Sequence, residues 1–209
     1  MKPPVDVDDV TLRVQRNWME DGLVEIMLGL IMATLSGLFL AIAAVPRGPF
    51  ADFMGLGGVQ TLLLVVVLSI VWGFKKLKAR VTFPRYGYVA LPEPTRTSRI
   101  SMIATFAAFA VIFSLLTSTG FGRMAVPGAA VVFALALILP GLRVRVPRMM
   151  WEGVLALIIG ALLYLFTDLK GSRGLLAFMA TIGASLAIIG SLQLRSFLKA
   201  HPVHHETEA

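Results

Sequence analysis

Six mainly apolar stretches alternate along the chain with short polar or basic segments: roughly Gly22 to Val45, Gly55 to Phe74, Ile100 to Thr119, Met124 to Leu142, Met149 to Thr167 and Gly174 to Leu194. A helix of about 20 such residues crosses a hydrocarbon core of about 30 Å, so each stretch predicts a transmembrane helix. The fifth is the shortest. Its apolar part, Trp151 to Phe166, must borrow from Pro147 to Met150 to cross comfortably, and a re-entrant segment is the alternative. The expected fold is all-α: a polytopic membrane protein with six transmembrane helices arranged as three consecutive hairpins.

The segments come directly from this pattern. Residues 1–21 form an interfacial arm, 22–74 the first hairpin, 75–99 a basic loop, 100–142 the second hairpin, 143–148 a second basic loop, 149–194 the third hairpin and 195–209 a solvated, disordered tail. In the arm, Val7, Val10 and Val14 fit a helix face while Leu12 and Val14 also fit a strand, so its conformation stays open. Asp6, Asp8, Asp9, Glu20 and Asp21 precede the first apolar run, unlike the basic start of a cleaved signal peptide, so that run is expected to remain as a helix.

Composition agrees with residence in lipid: 57% of the 209 residues are hydrophobic, 15% are charged, and the mean hydropathy is +0.82. The net charge of +7 would point a soluble chain toward nucleic acid, but the placement of its charges gives another cause. Fifteen of the 19 Lys and Arg residues fall on the side holding both termini; only Arg47, Arg123, Lys170 and Arg173 fall on the other. Cytoplasmic loops collect such charge, which predicts a multi-pass inner-membrane protein with both termini cytoplasmic. No further basic patch with interleaved aromatics is left over, so nucleic acid is not an expected partner. The chain has no cysteine, which excludes disulfides and thiol chemistry.

Short motifs recur. Arg80–Tyr86, "RVTFPRY", and Arg143–Met149, "RVRVPRM", share Arg-Val-x-apolar-Pro-Arg-apolar. "DGLVEIMLG" from Asp21 and "EGVLALIIG" from Glu152 share an acid-Gly start and a closing glycine, and the second and sixth apolar runs end alike in "KKLKA" and "SFLKA". Each unit crosses twice, so the three hairpins would be parallel repeats about an axis near the membrane normal. In the longest basic loop, Pro84 and the β-favouring Val81, Thr82, Phe83, Tyr86, Tyr88 and Val89 predict a strand-like segment over Arg80–Val89. Tyr86 and Tyr88 suit the headgroup layer, and Arg80, Arg85, Arg143 and Arg148 are candidates to hold lipid phosphate or a partner.

"RVTFPRYGYV" and the "EDGLVEIMLG" that opens the first apolar run resemble a group of bacterial and archaeal multi-pass membrane proteins with a "TFPRxGYV"-like cytoplasmic loop. The resemblance covers about a sixth of the chain. It implies membrane residence and lends no activity.

Chemistry within lipid needs polar groups at depth, and only Glu25 qualifies. It lies one turn beyond Asp21 on the same helix face, where both carboxylates are expected to stay hydrated near the helix N-terminus. A proton or cation site, or an ion pair with Arg80, Arg143 or Arg148, is the alternative. Asp52, Glu152 and Asp168 read as boundary residues. No phosphate loop, catalytic triad or zinc-protease helix occurs, and the histidines lie in the tail, so no enzyme activity, cofactor or metal is expected.

Gly29, Ala33, Gly37 and Ala41 recur every four residues, as do Gly183, Ala187 and Ser191, which predicts close packing of the first helix against the sixth. The same faces would serve a homo-oligomer or a protein partner. The expected function is non-enzymatic, through lipid, anionic lipid included, or a membrane partner at the basic loops. A small-solute or ion permease with Glu25 near its path is the alternative.

Overall fold

The computed structural model describes residues 16, 19–44, 48, 58–82, 124–169 and 171–202. They form five helices and no strand: α1 Leu23–Ala43, α2 Val59–Val81, α3 Ala125–Val144, α4 Pro147–Phe166 and α5 Gly171–Ala200. Four of them, all but α2, carry spans long and apolar enough to cross a membrane. The run Ile100 to Thr119 lies outside the described residues.

Three boundaries differ from expectation. α4 starts at Pro147, which needs no amide donor at a first helical position, and its 20 residues rise about 30 Å. The fifth apolar run is thus a full-length helix. α2 continues to Val81 with Thr82 as its C-cap, so Arg80 and Val81, assigned to a strand by β propensity, are helical. No Gly or Pro stands between Gly73 and Pro84 to end that helix earlier. Residues 83–89 lie outside the described set. α5 likewise runs through Arg195 and Lys199 to Ala200, so the expected tail begins inside a helix, and Pro202 is the first breaker it meets.

Two compact units are distinguished, one holding 90–178 and the other 18–89 with 179–209. In the first, α3 and α4 pack antiparallel. A Cβ on Gly153 would stand 3.0 Å from the Ala134 carbonyl oxygen and 2.5 Å from Ile138, and two turns further along Gly160 lies directly against Ala130. Phe178 closes this core, meeting Phe133 edge to face at 6.4 Å between ring centroids. In the second unit α1 packs antiparallel on α5: a Cβ on Gly22 would meet the Gly190 carbonyl oxygen at 2.5 Å, and one on Gly29 the Gly183 carbonyl oxygen at 2.6 Å. Without side chains at these points the backbones come within van der Waals reach, which is how helices gain dispersion energy in lipid.

The α3–α4 turn is a Schellman motif. Val146 N–H bonds the Gly141 carbonyl at 2.9 Å and Arg145 N–H the Leu142 carbonyl at 3.4 Å, while Arg145 adopts the left-handed φ of 57°. Glycine takes that conformation without a Cβ penalty, so Arg145→Gly is expected to raise stability by about 0.5–1 kcal/mol, measured by equilibrium unfolding in detergent.

Candidate functional site

The second unit contains a buried polar cluster where α1 begins. Asp21 is wholly buried. Its Oδ1 accepts the Leu23 N–H at 3.1 Å, and its Oδ2 accepts the Thr82 hydroxyl at 2.8 Å and lies 3.0 Å from Lys78 Nζ. Gly22, at φ 76°, bends the chain between this carboxylate and the helix it precedes. Glu25, one turn on, is 3% exposed. From the other side Gln193 Nε2 donates to the Glu20 carbonyl at 3.1 Å, fixing the same turn to α5.

Both expected carboxylates are therefore buried rather than hydrated. Asp21 pairs with Lys78. Lys78 lies one turn beyond the apolar stretch that ends at Phe74; burial lowers its pKa below the ordinary 10.5, and the negative charges of Asp21 and Glu25 oppose that shift. A carboxylate with an ammonium, a hydroxyl and an amide donor is a fully compensated buried charge, an arrangement that fastens the start of α1 to the end of α2.

Glu152 is the counterpart in the first unit. Expected at the boundary, it is 2% exposed and lies 3.6 Å from Arg148 Nε across one helical turn. In both units an acid-Gly pair lies near the helix start, just before α1 and in the second turn of α4; the acid is buried with a basic partner, and the glycine seven positions after the first meets the neighbouring helix.

Of the small residues expected to pack, Gly29, Ala33, Gly183 and Ala187 meet: a Cβ on Gly183 would stand 2.9 Å from Ala33 N, and one on Gly29 2.7 Å from Ala187 N. Gly37 has nothing within 4 Å of a Cβ position, and Ala41 and Ser191 are exposed, the serine hydroxyl bonding the Ala187 carbonyl at 2.6 Å.

The second feature is a rim, present in each unit by itself, where an exposed tryptophan adjoins a basic side chain. On α2 the exposed Val65, Leu68 and Trp72 share one face, and Lys76 Nζ stands 3.7 Å from the Trp72 ring centroid. On α4, Trp151, Val154, Ile158, Leu162 and Leu165 form an exposed apolar stripe at 3- and 4-residue spacing, and Arg148 lies one turn before Trp151. Arg148 is half-buried, while Arg80, Arg143 and Arg145 are exposed; Arg85, Tyr86 and Tyr88 lie outside the described residues. On membrane-spanning helices in general, tryptophan with Lys or Arg is common at the level where an apolar stripe meets the headgroups. Among the described residues no group of three His, Cys, Asp or Glu side chains is placed to hold a metal.

Lys78 and Thr82 escape sequence reading because one counts as a topogenic base and the other as a strand residue. The signal that would find them is the absence of a helix breaker before Pro84, which carries both onto α2 or its cap. Comparison with known proteins finds no matching family model, curated protein or solved structure.

Proposed function

We propose that the protein is a non-enzymatic integral membrane protein whose basic helix ends engage anionic lipid headgroups or a membrane partner. In this reading six helices form three hairpins in the inner membrane, with both termini cytoplasmic. The observation that carries it is the repeated rim, Trp72 with Lys76 and Trp151 with the half-buried Arg148, where exposed apolar stripes give way to basic side chains. The Asp21–Lys78 pair and the glycine contacts hold those ends in place.

Lipid extracted with the purified protein tests this. Anionic lipid should be enriched several-fold over its share of the source membrane, and Lys75→Gln with Arg80→Gln should lower that enrichment. Lipid at bulk composition, with no protein co-purifying, would contradict the reading.

The permease reading draws on one observation, the burial of Glu25 beside a buried Lys78. It requires a proton or ion flux in liposomes that Glu25→Gln abolishes. Equal leakage from wild type, Glu25→Gln and protein-free vesicles is the expected result.

A further inference from the structure

We propose that the α3–α4 turn is a phospholipid headgroup site, in which Arg143 and Arg145 hold the phosphate of one anionic lipid and its acyl chains lie on the stripe that begins at Trp151. This rests on the membrane reading above and names the place and chemistry of one contact.

Three basic helix ends compete for that role. At the end of α2, Lys78 is committed to Asp21 and Lys76 lies over Trp72, which leaves Lys75 and Arg80 exposed five residues apart along the helix, too far apart in sequence to share one helix face. At the end of α5, Arg195 and Lys199 are exposed on the last two turns of a helix, each projecting from regular helical backbone and not from a turn. At the α3–α4 turn, Arg143 and Arg145 are exposed, two residues apart, and form no ion pair among the described residues. Arg148 is drawn to Glu152, so the turn keeps a local charge of about +2. Guanidinium groups suit phosphate better than ammonium groups do, since a planar fork presents two parallel N–H donors to two oxygens.

The turn is also rigid where a headgroup would meet it. Val144, Val146 and Met149 are buried beneath it, and a Cβ on Gly141 would stand 3.0 Å from that of Met149. The Schellman hydrogen bonds fix the backbone from which both arginines project, so binding orders side chains only. Arginine occupies a left-handed position that glycine would fill at lower cost, and the site supplies the reason. The α4 stripe reaches the turn through Trp151, 72% exposed, whose ring suits the glycerol level just below a phosphate.

The test uses the full chain in detergent, titrated with phosphatidylglycerol or phosphatidylcholine and read by native mass spectrometry. Arg143→Gln with Arg145→Gly removes both guanidiniums and keeps the left-handed turn; Arg143→Gln alone leaves the backbone untouched. Arg195→Gln with Lys199→Gln removes the same charge elsewhere. Phosphatidylglycerol affinity should fall roughly twentyfold in the turn double variant, roughly fivefold in the single, and less than twofold in the α5 variant. Equal losses at the turn and at α5 would overturn the site while leaving the wider reading intact. A wild type with no preference for phosphatidylglycerol would overturn both. Displacement of the lipid by millimolar inorganic phosphate would reassign the turn to a soluble anion and overturn the proposal.

Discussion

Replacing Lys78 by Met is expected to cost about 3–5 kcal/mol of unfolding free energy, whereas Arg80→Met, two residues further along α2, should stay within about 0.5 kcal/mol. The difference comes from surroundings, not from charge. Arg80 is exposed, so its removal disturbs little but solvent; Lys78 stands 3.0 Å from a wholly buried carboxylate, and its loss leaves that charge uncompensated. Asp21→Asn should be costly for the converse reason, since the buried ammonium then has only a neutral amide. The double variant Asp21→Asn, Lys78→Met should recover much of either loss, because a buried pair replaced as a whole returns the desolvation cost of both ions. Equilibrium unfolding in detergent, followed by helical circular dichroism, gives the four stabilities of the cycle. Additive losses would show that the two side chains do not interact.

The glycine contacts predict a second large effect and a contrast between the units. Gly29→Leu is expected to destabilise by about 3 kcal/mol or more, because the atoms in its way are the Gly183 carbonyl oxygen and the Ala187 backbone nitrogen, which cannot turn aside. Gly37→Leu, on the same helix with open space around it, should be neutral or stabilising by up to about 1 kcal/mol through helix propensity. Gly160 differs from Gly29. The first obstruction to a Cβ there is the Ala130 methyl group, and the next atoms, Ala130 Cα and Phe178 Cε2, are 3.8 Å away. Gly160→Ala should therefore be destabilising alone and largely rescued by Ala130→Gly, whereas no side-chain change on α5 should rescue Gly29→Leu. Rescue at both positions would mean that the α1–α5 approach is looser than the glycine positions indicate.

These cases also show where sequence reading succeeds and where it stops. Long apolar runs mark helices because lipid accepts few other backbones, and four of the six runs correspond to helices long and apolar enough to span. The fifth run looks short only because Pro147 to Met150 are less apolar than Trp151 to Phe166; proline at a first helical turn extends the helix instead of ending it. Small residues at four-residue spacing define a face, but spacing does not say how far along that face a neighbour stays close, so Gly29 and Gly37 read alike and differ in fact. Charge counts give an expected orientation yet treat every base as equivalent. Lys78 adds to the same total as Arg80, and only tertiary structure separates the buried partner of Asp21 from the exposed one. The β-favouring Val81 and Thr82 mislead for a similar reason, since propensity is a weak preference that a continuing helix overrides.

Fluorescence quenching by brominated lipid reaches the rim most directly. In single-tryptophan variants retaining Trp72 or Trp151, lipids brominated near the glycerol should quench more strongly than those brominated at the chain ends, and anionic carriers more strongly than zwitterionic ones at equal mole fraction. Quenching independent of headgroup charge, or no quenching by any brominated lipid, would contradict a basic rim seated among anionic headgroups.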